Sequence, residues 1–413
     1  MKERNIVCID LKSFFASVEC VYRNLDPFNT PLVVADVTRG KGAMTLAITP
    51  YLKHLGIESR SRVFSLPKNI KIIYAKPRMS LYEKYSKEVI NVYKSFISKE
   101  DIHIYSIDEV FIDVTDYLKY YKKTDYELAL DIMKEVKNKT GLTSSCGIGP
   151  NIFLAKVAMD TEAKHSKEFI AKWTYEDIEN KLWKINKLSE IWGIGKNTEA
   201  KLNNLGIKNL KDINKYSKDF YIKRFGPVAG NDIWCKGNGI DYNTIKDMNK
   251  NSKEKSMSMS QVLNEDYNIE ETLLIITEMN DMLCKKLRKT NMVTKFVFIE
   301  VTYSRDLYKS FSDTIALNCE EDNTTKILDV LKYMYYKNVE DLPIRKVTIA
   351  FSKLSTNHSK QLSLFDKNEI ETTHYYEAID NINSKFGNIS ILRASSLLES
   401  STIKNREKFK NII

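Results

Sequence analysis

The sequence predicts an α+β multidomain protein, and three observations carry that expectation. In the first 171 residues, apolar strand-like runs alternate with amphipathic helical stretches, the pattern of a sheet and helices sharing a core. Residues 172–240 are a block of short helical segments. From Lys255 the pattern becomes strand, helix, strand, strand, helix, strand, the split βαβ order. Length agrees, since 413 residues exceed one ordinary core and imply two to four domains.

Each element has its own reason. Ile6–Ile9 is a continuous apolar run that reads as a buried strand ending in Asp10, and a helix follows from Ser13 to about Tyr22. Residues 31–66 break the pattern and read as a small insertion. Helical spacing returns in Leu81–Phe96, where Tyr82, Tyr85, Val89, Val92 and Phe96 share a face. The run YSIDEVFIDV then reads as a hairpin carrying Asp108 and Glu109 between its strands. A helix spans about Tyr126–Lys139. SSCGIGPNIFLAKVAMDTEAK reads as a strand feeding a helix, with Lys156 and Lys164 on one side of it. Lys246–Lys255 has no apolar face and reads as solvated, within a linker over 241–255. Beyond it, KSMSMSQVL is strand-like, Asn268–Met292 is helical with Leu273, Ile276, Met279, Leu283 and Leu287 on one face, and Thr294–Tyr303 and Leu307–Asn318 are strands. Asn323–Lys337 is helical and Ile344–Phe351 is a last strand.

Composition narrows the function classes. The formal charge is +10 and the pI about 9.0, which favours a polyanionic partner, nucleic acid before membrane. A Lys-, Asn- and Ile-rich coding bias is the plain alternative for that charge. Six cysteines at 8, 20, 146, 235, 284 and 319 form no CxxC or Cys/His cluster, so zinc and a disulfide framework are not expected and reduced cytosolic thiols are. The run at MKERNIVCID is too short for a signal peptide, and no stretch reaches about 18 apolar residues, so no membrane partner is expected.

The chemistry concentrates in IVCIDLKSFFASVE and YSIDEVFIDV. A buried strand disfavours an unpaired carboxylate, so Asp10 at a strand end needs a partner. Asp108 and Glu109 alone suit a solvated turn equally well. Together the three carboxylates suit hard divalent ions, and two such ions about 3.5–4 Å apart clamp both oxygens of a phosphoryl transfer.

These residues carry a resemblance. D-x-x-x-F-[FY]-A-x-V-E followed by S-I-D-E is similar to the Y-family DNA polymerases, nearest to their UmuC-like branch, over nearly the whole chain. The resemblance implies a right-hand architecture: a palm (1–30 and 67–171), small fingers (31–66), a helical thumb (172–240), the linker, a βαββαβ little finger (256–355) that grips duplex DNA, and a tail (356–413). It implies that Asp10, Asp108, Glu109 and the Leu11 carbonyl hold two Mg2+ ions, with Mn2+ as substitute. Phe15 would be the steric gate against a ribose 2′-OH. The amides of Ser13, Phe14 and Phe15 would face the triphosphate at a helix N-terminus. Lys164, in LAKVAMDTEAK, would bind the triphosphate too, and Lys156 would contact DNA.

The fingers depart from the common Y-x-x-R pattern. Pro50 stands at the Tyr position and Lys53 at the Arg position, which supplies charge without a bidentate fork. Lys12 stands where some relatives have an acid, so no metal role is carried there. LSEIWGIGKNTEAKLNNLGI resembles a helix-hairpin-helix in which Gly193, Gly195 and Lys196 would meet a DNA phosphate; an ordinary turn is the alternative. QLSLF, with Gln361, Leu362, Leu364 and Phe365, resembles the bacterial sliding-clamp peptide, against the alternative of a core strand.

The expected activity is template-directed DNA synthesis across damaged DNA in the bacterial cytoplasm, of low fidelity, without proofreading and within an SOS-type response. The partners are primer–template DNA, a dNTP and the sliding clamp, with room for a UmuD-like accessory subunit. The competing readings are a clamp-tethered DNA-binding factor without catalysis and another palm-type nucleotidyltransferase. Residues 375–413 read either as a helix and strand on the body or as a partner site.

Overall fold

The computed structural model describes residues 4–250, 255–357, 369–404 and 406. They fall into two compact units, Met1–Lys250 and Asn251–Asn411.

The first unit runs β1 (Ile6–Leu11), the helix Phe14–Tyr22, β2 (Leu32–Val34), β3 (Ala47–Ile48), β4 (Ile73–Ala75), the helix Met79–Phe96, β5 (Ile102–Ile104), β6 (Glu109–Asp113), the helix Asp125–Thr140, β7 (Ser144–Gly149), the helix Ile152–Thr161 and β8 (Ile170–Lys172). Five strands form one sheet in the order β5-β6-β1-β7-β8, with β1 central and antiparallel to both neighbours. Val7 and Ile9 face a core shared with Tyr82, Val89, Leu128 and Ile132, while Ile6 and Cys8 face Phe111, Ile152, Ala155 and Met159. Both sheet faces are covered, which is why the β1 run is apolar without alternation.

A second sheet, β3-β2-β4, occupies the expected insertion. It extends past Leu66 to Ala75, because β4 returns to pair in parallel with β2. Residues 172–240 are mostly short helices around Leu182, Leu188, Ile194, Leu202, Ile213 and Tyr221, continuous with Phe153 and Leu154.

Two expectations are corrected here. The α-helix after β7 stops at Thr161, and Lys164 sits in a separate turn, Ala163–His165, where the backbone tightens to 3-10 geometry. The linker is shorter than 241–255. Thr244 and Asp247 form a capping box that starts the helix Ile245–Met248, Ile245 is buried beside Cys8 and Phe111, and Asn249 Nδ2 donates to the Ile102 carbonyl at 2.9 Å.

The second unit has the expected βαββαβ order: β9 (Ser256–Tyr267), the helix Ile269–Lys289, β10 (Met292–Tyr303), β11 (Ser310–Glu321), the helix Thr324–Asn338 and β12 (Ile344–Ser352). The strands lie in the order β11-β10-β12-β9, all antiparallel. Local chemistry moves the bounds. Asn268 caps the first helix with Glu271, and the chain turns at Asn291 with φ +51°. β11 begins at Ser310 rather than Leu307, because Arg305–Leu307 is a turn closed by Tyr308 at φ +48°. The tail contributes the helix Glu369–Phe386, held on the Ile269–Lys289 helix by Arg288–Asp380 (2.7 Å), and the segment after it is held there by Arg393–Asp281 (2.6 Å). Five cysteines are buried, Cys319 is exposed, and none is disulfide-bonded.

Two packing features set the stability of the first unit. The Ile152–Thr161 helix lies so close to β7 that a Cβ on Gly147 would stand 2.1 Å from the Ala155 oxygen. Glu19 is fully buried and accepts from Arg78 Nη2 (2.6 Å), Arg78 Nε (3.0 Å), Tyr82 Oη (2.8 Å) and Arg23. Burial pushes the Glu19 carboxyl up, but these donors outweigh it and hold it below the usual range.

Gly147→Ala is expected to cost at least about 1–3 kcal/mol in denaturant unfolding, since backbone rather than a side-chain tip must move. Glu19→Gln is expected to cost about 2–4 kcal/mol, below the full figure for a broken buried pair because Arg23 reaches solvent. The Glu19 contribution is complete above the ordinary Glu pKa of about 4.3 and is lost as pH falls through the lower folded value. Unfolding curves at several pH values should show the gap between wild type and Glu19→Gln constant near neutrality and shrinking at acid pH.

Candidate active site

The site begins where β1 ends and its antiparallel neighbour β6 starts. Asp10 lies opposite Glu109 in the antiparallel register, and the Leu11 amide donates to the Asp108 carbonyl at 2.9 Å. Burial is the largest influence on both Asp10 and Glu109 and raises both pKa values. Lys164 opposes it at Asp10 and Lys156 at Glu109, while neighbouring carboxylates add to it.

Two lysines answer these charges. Lys164 Nζ stands 2.7 Å from Asp10 Oδ2 and 2.8 Å from Asp160 Oδ1. Lys156 Nζ stands 2.7 Å from Glu109 Oε1 and 3.1 Å from Asp160 Oδ2. Burial works against the Lys164 ammonium, but Asp10 and Asp160 outweigh it and raise its pKa. Asp108 is engaged elsewhere, accepting from Ser106 Oγ at 2.7 Å.

The expected metal residues are therefore neighbours, each with a different partner. Among the described residues no three acidic, His or Cys side chains close on one point as they stand. In kind the donors fit: they are hard carboxylate oxygens, which suit Mg2+ or Mn2+.

Beside Asp10 opens a cleft of about 790 Å³, whose lining includes Lys12, Ser13, Tyr51, Lys53 and Lys164. Ser13 has φ +51° and precedes the Phe14–Tyr22 helix without a side-chain cap, and no acid stands in the first turn. The first-turn amides thus face no competing side-chain acceptor, which suits an anion. Pro50 starts the short helix Pro50–His54 and carries Lys53 in its last turn. Burial, with Lys53 and Lys164 nearby, pulls the Lys12 pKa down to about 8.

Phe14 is buried in the core of the first unit and Phe15 is half-buried. The Phe15 ring stacks on Tyr82 with centroids 4.4 Å apart and planes at 17°. Tyr82 is the residue that donates to Glu19, so the aromatic pair stands on the Glu19–Arg78 cluster. In the helical block, Gly193 has φ +83°, Gly195 precedes the helix Lys196–Asn203, and buried Ile194 anchors the turn. Gln361, Leu362, Leu364 and Phe365 lie outside the described residues.

Asp160, Glu19, Arg78 and Tyr82 were not assigned roles from the sequence. The signals were present: Lys156, Asp160 and Lys164 are spaced by four, and Glu19 lies four residues after Phe15 on the inward helix face.

Known proteins match this arrangement. The impB/mucB/samB family matches residues 9–160, its C-terminal domain residues 254–364, and the IMS family HHH motif residues 175–207. The UvrX protein of Bacillus subtilis (strain 168), named for UV-damage repair, is 32% identical over 98% of this chain and 96% of its own. DNA polymerase IV 2 of the same strain is 27% identical over 96% of this chain and 95% of its own. The Y-family DNA polymerase chimera Dbh-Dpo4(243-245)-Dbh, at 20% identity, shares the fold with a TM-score of 0.68, covering 86% of this chain and all of that one. The chain belongs to the impB/mucB/samB family, the Y-family translesion DNA polymerases.

Proposed function

We propose that this polymerase extends a primer opposite damaged template positions, with two divalent ions at Asp10, Asp108, Glu109 and the Leu11 carbonyl. The observation that carries the reading is the pairing of Asp10 with Glu109 at adjoining strand ends, next to Asp108 and a cation-lined cleft. Bound Mg2+, or Mn2+ in its place, would supply the charge that activates the primer 3′-hydroxyl and neutralises the leaving pyrophosphate.

The chain's own residues divide the remaining work. The Asp10, Asp108 and Glu109 carboxylates would hold the ions, and Lys164 and Lys156 pair with Asp10 and Glu109 respectively, opposing the effect of their burial. Lys164 and Lys53, with the amides of Ser13, Phe14 and Phe15, receive the triphosphate. Phe15, backed by Tyr82, fills the space a ribose 2′-hydroxyl needs. Gly193, Gly195 and Lys196 hold a DNA phosphate, whereas Lys156 is buried and paired with Glu109 and Asp160, which withdraws it from a DNA backbone. The QLSLF segment tethers the enzyme to the sliding clamp and so raises its local concentration at a primer end. Low fidelity and action in the bacterial cytoplasm complete the reading. No described helix is long and apolar enough to cross a membrane.

The deciding experiment is primer extension by the purified protein with Mg2+ on undamaged and abasic templates, with and without clamp. Extension on both, stimulated by the clamp, is expected. Tight primer–template binding without extension would favour the DNA-binding factor instead. Asp108→Ala should reduce incorporation at least about a thousandfold while leaving primer–template affinity within about twofold, as for a group acting through transition-state charge. Near-wild-type extension by that variant removes the assignment. Phe15→Ala should raise ribonucleotide incorporation relative to deoxyribonucleotide by at least about tenfold, a steric discrimination of modest energy. An unchanged ratio would take Phe15 out of the gate.

A further inference from the structure

The cleft beside Asp10 holds more positive charge than its carboxylates answer. Lys164 is committed to Asp10 and Asp160, and Lys156 to Glu109 and Asp160. Lys12 and Lys53 form no ion pair with a carboxylate among the described residues. Lys12 nonetheless has a built position. Its Nζ lies 3.9 Å from the centre of the Phe169 ring, 3.2 Å from the Lys164 carbonyl oxygen and 3.5 Å from Ser145 Oγ. All three partners are neutral, so the ammonium is placed without being neutralised. Cation–π contact of this kind orients a charge and leaves it available to an anion.

Phe169 is itself held at a cost. Its φ is +57°, a conformation bulky residues rarely adopt, and strain of this kind gathers at functional sites. Its carbonyl accepts from the Cys146 amide at 2.8 Å, which ties the strained residue to β7. The Phe28 ring lies beside it, 6.0 Å centre to centre at 21°. Ring, strand and lysine therefore form one fixed assembly at the cleft wall.

We propose that Lys12, positioned by Phe169, is a further cation for the triphosphate of the incoming nucleotide, completing a set with Lys53 and Lys164. The inference rests on the cleft being the nucleotide site. It explains how this chain binds β- and γ-phosphate oxygens with Pro50 and Lys53 where Tyr and Arg are common: a second ammonium supplies the charge that one bidentate guanidinium would have given. The occupant is a polyphosphate rather than a single carboxylate, because three ammonium groups border one cleft and only one of them is paired there.

The test is steady-state single-nucleotide incorporation by the full chain on primer–template, with inorganic tripolyphosphate as a competitive probe. Lys12→Met keeps the aliphatic stem against Phe169 and removes the charge. It should raise the KM for dNTP about tenfold, the worth of one charge-assisted hydrogen bond, with a smaller change in kcat. It should weaken inhibition by tripolyphosphate by a similar factor, and Lys12→Arg should recover most of both losses. Unchanged KM and inhibition in Lys12→Met, with wild type active and inhibited, overturns the inference. So does a loss confined to kcat. A wild type that extends primers but is not inhibited competitively by tripolyphosphate points instead to failure of the cleft as the triphosphate site, which Lys164→Met would register as an unchanged KM.

Discussion

The contact on which the site depends is the approach of one helix to one strand. Gly147 and Gly149 let the Ile152–Thr161 helix settle directly on β7, with backbone where side chains would otherwise stand. That approach brings Lys156 within reach of Glu109 two strands away, and carries the chain on to Lys164 and Asp10. The lysines in turn make it tolerable to end two buried strands in carboxylates. Remove the close approach and the charges at the strand ends lose the partners that pay for their burial. Packing and electrostatics are thus a single constraint, expressed once as absent Cβ atoms and once as four short ion pairs.

The aromatic side of the site is organised in the same way. Phe15 rests on Tyr82, Tyr82 on Glu19, and Glu19 on two arginines. The gate proposed for Phe15 would need a ring that does not yield when pushed. The charged cluster below it, in which every oxygen of a fully buried carboxylate is engaged, supplies such a support.

Much of this was legible in the sequence, for identifiable reasons. The βαββαβ order of the second unit follows from alternation over most of β10 and β12 and from a wide apolar face on each helix. The carboxylate pair at the ends of β1 and β6 was visible because acids at the edge of apolar runs stand out. What was not legible depended on contacts distant in sequence or on fine backbone geometry. Lys164 reads as helical until the turn at Glu162 is known. The 241–255 segment reads as linker because its apolar anchors are few, buried Ile245 and half-buried Met248. Glu19 stands on the inward helix face, but its partner Arg78 lies far along the chain, so the pair itself is not announced locally. Phe169 gives no sequence sign of its left-handed backbone, which arises where the turn after Ser166 meets β7.

The distribution of thiols has a practical consequence. Five cysteines are sealed inside the two units, and burial moves the thiols of Cys8, Cys20, Cys146, Cys235 and Cys284 away from their reactive form. Cys319, near the end of β11, is the sole exposed one. A maleimide dye added to the unmodified protein would therefore report from one known point on the second unit, leaving the first unit unlabelled. Energy transfer from that dye to a fluorophore on DNA would follow the second unit alone through a catalytic cycle, with no cysteine removed and no core disturbed.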